Sequence, residues 1–272
     1  MTSTATAATA QPGVGPQIRE WRTLRRLSQM DLALEVGISP RHLSFVETGR
    51  SRPGADVLLA IADRLELPLR MRNGWLLAAG YAPRYSEHRL DSDVMNQVRE
   101  PLQRLLDAHH PYPGIVVDRH WNVVLVNRAA GNLMSMLPEH LRQPVPNVFR
   151  TSLHPDGFAR MTRNFPDWGH YLLQELQRLL VDDRDPAIVA LAGEVRAYPN
   201  VQELLRSTTT PAMQAGRALL VPCIMDMGGH TLSLFTTLTR FGTPLDITLA
   251  ELCVELFYPA DDATGQLLRA MG

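Results

Sequence analysis

The sequence predicts an α+β fold, with an all-helical N-terminal unit of five short helices followed by a larger body that has an antiparallel sheet and added helices. Three observations carry this. Helix start and stop signals crowd residues 16–79, two β-rich apolar runs flank a short polar turn at 118–120, and helical and alternating periods follow one another from there to the end. A chain of 272 residues suits one large or two ordinary domains, and 45% hydrophobic with 20% charged residues supplies a real core.

The first helix is predicted from about Pro16 to Leu27, with Ile18, Trp21, Leu24 and Arg25 on one face. Ser28 is an N-cap for the second, with Asp31 completing a capping-box pattern and Gly37 ending it. Ser39 caps the third, Pro40 sits in its first turn where a missing N–H costs nothing, and Gly49 closes it. A fourth opens at Pro53 and Asp56 with Leu58, Ile61, Ala62 and Leu65 inward, and a fifth covers about Leu69 to Ala79. Residues 1–15, uncharged and poor in bulk, are expected to be a disordered tail, and the polar stretch 81–92 a linker.

In the body, 93–272, a helix is predicted from Asp93 to His109. Ile115–Val117 and Trp121–Val126 form a strand pair, and Asn127–Leu137 has helical spacing, which together make the opening of a PAS-like sensor fold. Residues 156–205 are mostly helical. Strands return at Leu219–Val221, His230–Phe241 and Leu249–Phe257, before a closing helix over Pro259–Ala270.

Net charge is -1, but residues 16–80 are weakly basic and the remainder acidic, as fits a nucleic-acid module joined to something else. Cys223 and Cys253 lack metal spacing and read as buried thiols of a reducing cytosol. No apolar run is long enough for a bilayer and no secretion signal opens the sequence, so a cytoplasmic protein without membrane partners is expected.

The strongest motif runs from Arg22 to Pro53 and includes Arg22, Ser28-Gln29, Leu32-Ala33, Gly37, Ser39, Leu43-Ser44, Val46-Glu47, Gly49 and Pro53. It resembles the XRE (lambda-repressor-like) helix-turn-helix family. The resemblance implies double-stranded DNA as partner and the third helix as reader. Leu43 and Val46 would anchor that helix, leaving Ser39, Arg41, His42, Ser44 and Phe45 in front. Arg41 has the fork geometry for guanine and Phe45 suits a thymine methyl. Ser28, Gln29, Arg50 and Arg52 are expected at phosphates. In the family, the residues matching Arg22 and Glu47 form an internal structural ion pair.

Further phrases, WLLAAGYAPRY (Trp75–Tyr85), His109–Ala130, LHPDGF (Leu153–Phe158) and Phe241–Asp261, are similar to the MmyB-like ligand-binding domain found behind XRE modules. That resemblance implies an apolar pocket for a fatty-acid-like ligand, with no cofactor required. Candidate pocket residues are Trp121, Met134, Phe149, Trp168, Tyr171 and Leu172 as walls, and Asn127, His154, His170 and Arg217 as polar anchors; each also has a reading as plain core or surface. No HExxH, GxSxG or paired-Cys motif marks an enzyme or a metal centre. A ligand-responsive homodimeric regulator is the expected function. The alternatives are a body that only dimerises or meets a partner such as RNA polymerase, and an adaptor that binds no DNA.

Overall fold

The computed structural model describes residues 13–182, 185–207 and 220–271. It divides into two compact units. The first extends to His88 and also takes in Thr243–Ala250; the second comprises Arg89–Gly242 with Glu251–Gly272.

The first unit contains α1 (Val14–Leu24), α2 (Gln29–Glu35), α3 (Pro40–Glu47), α4 (Ala55–Arg64) and α5 (Leu69–Ala78). The local capping chemistry is in place. Ser28 Oγ accepts the Asp31 N–H while Asp31 accepts the Ser28 N–H, and Ser39 Oγ accepts the His42 N–H. Gly37 and Gly49 both turn at φ +72°, a conformation that a Cβ would strain. Ile18, Leu32, Leu43, Val46, Ile61 and Trp75 close the core.

Two expectations for this end are corrected. The helix starts at Val14, and Val14 and Gly15 are buried, so they do not belong to a disordered tail; residues 1–12 lie outside the described residues. Leu24 is exposed rather than inward, because six positions beyond Ile18 turn it about 240° round the axis. Gly15 is where α1 meets α3: a Cβ there would strike the carbonyl oxygens of Val46 and Glu47, the latter at 2.8 Å.

The expected linker is also corrected in part, since residues 81–88, though largely exposed, are held by hydrogen bonds. Asn73 Oδ1 accepts the N–H groups of Arg84 and Tyr85, and its amide donates to the Tyr85 carbonyl. Asp246 takes the Ser86 hydroxyl at 2.9 Å and the His88 N–H at 3.1 Å, with His88 Nδ1 at 2.8 Å. Burial works against the Asp246 charge, but these bonds, led by His88, hold its carboxyl below the ordinary range.

The second unit opens with α6 (Asp93–Ala108), β1 (Gly114–Val117), β2 (Val123–Val126), α7 (Arg128–Ser135), α8 (Glu139–Arg142) and α9 (Val148–Leu153). After a 3-10 turn at Phe158–Met161 come α10 (Phe165–Asp182), α11 (Pro186–Arg196), α12 (Pro199–Arg206), β3 (Cys223–Met227) and β4 (His230–Arg240). The chain closes with α13 (Ile247–Glu251), β5 (Cys253–Pro259) and α14 (Asp262–Met271). All strand pairs are antiparallel in the order β2-β1-β5-β4-β3. Ile115 stands opposite Glu255 on β5, which stands opposite Leu238 on β4. Alternation puts Ile115, Val117, Cys253, Glu255 and Phe257 on one face. Buried members of that face join Phe149, Trp168, Leu172 and Leu191 in one core.

The strand edges differ from expectation. β2 starts at Val123 because Trp121 turns at φ +63°. β5 starts at Cys253 because the residues before it form α13. Leu220 and Val221 precede β3 instead of forming a strand, and Leu219 lies outside the described residues. No helix among the described residues is long and apolar enough to cross a membrane.

The contact at Gly15 gives a test. Gly15→Ala is expected to cost about 1–3 kcal/mol through overpacking against backbone that has no rotamer to yield. Gly13→Ala, which meets nothing within 4 Å, should stay near zero. Urea unfolding followed by circular dichroism separates the two.

Candidate nucleic-acid interface and apolar cavity

The third helix is fixed from behind. Leu43, Val46 and Glu47 are buried, and the Glu47 side chain is only 1% exposed. Arg22 Nε donates to Glu47 Oε1 at 2.7 Å and its Nη2 to Oε2 at 3.1 Å, while its Nη1 donates to the Leu27 carbonyl at 2.8 Å. Gln29 Nε2 donates to Glu47 Oε2 at 2.7 Å. The bond to Glu47 raises the Arg22 guanidinium above its ordinary value, against burial that lowers it. One carboxylate therefore ties α1, the start of α2 and α3 together.

The outer side of α3 is what remains. Arg41 is exposed, and His42, Ser44 and Phe45 are half-buried. The Arg41 guanidinium lies 5.3 Å from the Phe45 ring centroid and that of Arg50 6.0 Å, so two cations flank one aromatic ring. This gives a compact surface of cations and donors on one face of a rigid helix.

Three of the side chains expected at phosphates have partners within the chain. The Gln29 amide is turned inward to Glu47. The Ser28 hydroxyl is held by Asp31, to which it donates at 2.6 Å. Arg52 stacks 4.5 Å from the Tyr81 ring and donates to the Gly80 carbonyl at 3.0 Å. The hydroxyl of Ser39, placed on the reading face, accepts the His42 N–H as a cap. The partners of Gln29 and Arg52 are 18 or more residues away, so no local pattern announces them.

The body holds an enclosed cavity of about 70 Å³ over the sheet. Of the residues expected to line a pocket, Met134, Trp168 and Leu172 do so, together with Leu234, Phe257 and Glu255. Trp121 and Phe149 pack on each other at 5.2 Å in the surrounding core, and Tyr171 stacks 5.0 Å from Trp168; none of these three lines the cavity.

Of the expected polar anchors, Asn127, His154 and His170 do not line this cavity. Asn127 is a structural hub: its Oδ1 accepts the N–H groups of Gly114 and Ala130, and its amide donates to the carbonyls of Leu106 and Tyr112. His154 lies between His140 and Tyr198, with ring centroids at 5.3 and 4.8 Å, and its Nδ1 accepts the Asp156 N–H. His140, His154 and Asp156 are the one grouping of metal-ligand chemistry among the described residues. His170 Nδ1 lies 2.7 Å from the Pro166 carbonyl one turn earlier. Arg217 lies outside the described residues.

Sequence reasoning missed Glu255. It is buried on β5, and its Oε2 has no hydrogen-bond partner. Burial pushes its carboxyl up to about 7, against a hydrogen bond with Thr236 that lowers it. The titratable neighbours that feel its charge, Tyr171, Cys223 and Cys253, are themselves raised chiefly by burial. A lone acid at an inward position of the run CVELFYP was the available signal. A wider hollow of about 280 Å³ between α6 and β2 is lined by Met95, Leu102, Val123 and Leu125; its charged residues, Asp91 and Arg99, are exposed.

The chain combines a helix-turn-helix unit with a solvent-facing third helix and a body whose antiparallel sheet borders an apolar cavity. Residues 98–271 match the MmyB-like transcription regulator ligand binding domain and residues 18–71 match a helix-turn-helix domain, so the chain belongs to the MmyB-like regulator family. An uncharacterized HTH-type transcriptional regulator of Archaeoglobus fulgidus is 35% identical over 83 residues, 29% of this chain. The match spans about a third (35%) of that relative's length. Among solved structures, the clp gene regulator ClgR of Corynebacterium glutamicum is similar over 36% of this chain and 90% of its own, with 23% identity and a TM-score of 0.22. The PAS domain of Bordetella pertussis BvgS is similar over 65% of this chain and 95% of its own, with 17% identity and a TM-score of 0.27.

Two outcomes are expected. Glu47→Ala strands the Arg22 charge and should cost about 3–5 kcal/mol in urea unfolding, whereas replacing both partners by Met should recover most of it. Glu255 binds its proton more tightly folded than unfolded, so its contribution to stability is full below its ordinary value of 4.5 and is lost as pH rises to about 7. Thermal melts of Glu255→Gln should lack that decline.

Proposed function

We propose that this chain is a sequence-specific DNA-binding transcription regulator that works in the cytoplasm as a homodimer and whose C-terminal domain senses a small apolar, fatty-acid-like molecule. The observation that carries the reading is the outer face of α3. Arg41, His42 and Ser44 face outward on a helix whose other side is held by Leu43, Val46 and the Glu47 network. A helix of that width fits the major groove, where a forked Arg reads the O6 and N7 of guanine. Arg50, beyond the end of α3, suits a phosphate and adds affinity that salt removes.

One such helix sees only a few base pairs, so a dimer that reads two half-sites about one helical turn apart supplies the needed specificity. The enclosed cavity supports the sensing part, since a ligand that prefers one arrangement of the dimer shifts its affinity for DNA. The domain reads as a binding device without a catalytic step.

Selection from a randomised duplex library, followed by fluorescence anisotropy on the enriched sequence, tests this. Arg41→Ala is expected to weaken the selected site by about 1–3 kcal/mol and relax the preference at one position. Arg50→Ala should weaken all sequences alike and lower the salt slope by about one. Failure to enrich any sequence would overturn the reading.

A further inference from the structure

We infer that the enclosed cavity takes a small apolar molecule ending in a hydrogen-bond donor, an amine or an alcohol, which it holds on the side chain of Glu255. This rests on the reading of the body as a sensor of an apolar molecule, and it gives that molecule a donor head in place of the carboxylate of a fatty acid.

The argument is one of unmet chemistry. Glu255 stands on the apolar face of β5, opposite Ile115, and lines the cavity with Leu234 and Phe257. A Leu there would fill the same layer at no electrostatic cost, whereas a buried carboxyl is expensive unless something bonds it. Thr236 meets it in part, and Oε2 has no protein partner. An acceptor left open in a low-dielectric cavity is completed by a donor brought from outside.

The rest of the lining fixes the sign. None of the residues around the cavity is Arg, Lys or His, so a carboxylate head would meet an acid and no cation. Thr151 Oγ1 is already spent on the Asn147 carbonyl at 2.9 Å. Met134, Leu172 and Leu234 offer only apolar surface to the remainder of the molecule. The volume, about 70 Å³, lies far below the roughly 300 Å³ of a drug-sized site, so the part enclosed is short.

Titration calorimetry of the full chain at pH 8 with hexylamine, hexanol, hexanoate and benzene tests this. The amine and the alcohol are expected to bind, and hexanoate at least about 10-fold more weakly. Glu255→Gln should weaken the amine about 10-fold but spare the alcohol, since the amide oxygen still accepts. Glu255→Leu should bring the amine and the alcohol to the level of benzene, with circular dichroism confirming that both variants fold. Hexanoate binding as tightly as the amine, or an unchanged ranking in Glu255→Leu, overturns the donor assignment and leaves the sensor standing. If none of the four binds, benzene included, the cavity is closed core and the sensing function falls with it.

Discussion

Everything the N-terminal unit presents to its surroundings depends on the carboxylate of Glu47. An eight-residue helix such as α3 has too few internal hydrogen bonds to hold its own shape or direction in water. Its angle is set by two apolar side chains and by one acid whose oxygens meet a guanidinium from α1 and an amide from the start of α2. Gly15 serves the same end sterically, letting α1 come close enough for Arg22 to reach across. The exposed side chains of α3 inherit their positions from this arrangement, so the chemistry offered outward is specified by groups behind the helix, with the Glu47 side chain only 1% exposed.

Much of this was legible because it is local. Ser28, Ser39, Pro40, Gly37 and Gly49 act within a turn of where they stand, and short-range rules place them. The errors came where a partner is remote. Val14 and Gly15 look like tail because their reason for being helical is α3, some thirty residues on. Gln29 looks free because Glu47 is far away in sequence. Asn127 looked like a pocket anchor at the end of an apolar strand, yet as the N-cap of α7 it also satisfies β1 and the end of α6. The apolar run before Cys253 has the composition of a strand, and only the fold decides that its first residues are α13.

The body handles its buried polar groups in two ways. Asn127 and Asn147 are fully used: Asn147 accepts the N–H groups of Phe149 and Arg150 and donates to His120 and Asn122. Such residues pin loops to the sheet and add rigidity. Glu255 is the contrast, a stronger acceptor in a drier place with one oxygen left over. Trp75 Nε1 and Asn200 Oδ1 are also buried without a partner, but of the three only Glu255 carries an ionisable group and lines a cavity, which marks its position as one kept for something other than stability.

The segment Thr243–Ala250 lies between β4 and β5 in sequence, yet packs with the N-terminal unit, where Asp246 holds Ser86 and His88. The N-terminal unit is therefore discontinuous: its last piece is encoded more than 150 residues after the rest. A polypeptide ending at His88 would contain α1 to α5 and still lack α13 and the acid that holds Ser86 and His88. Translation, too, must reach Ala250 before that unit has all of these parts.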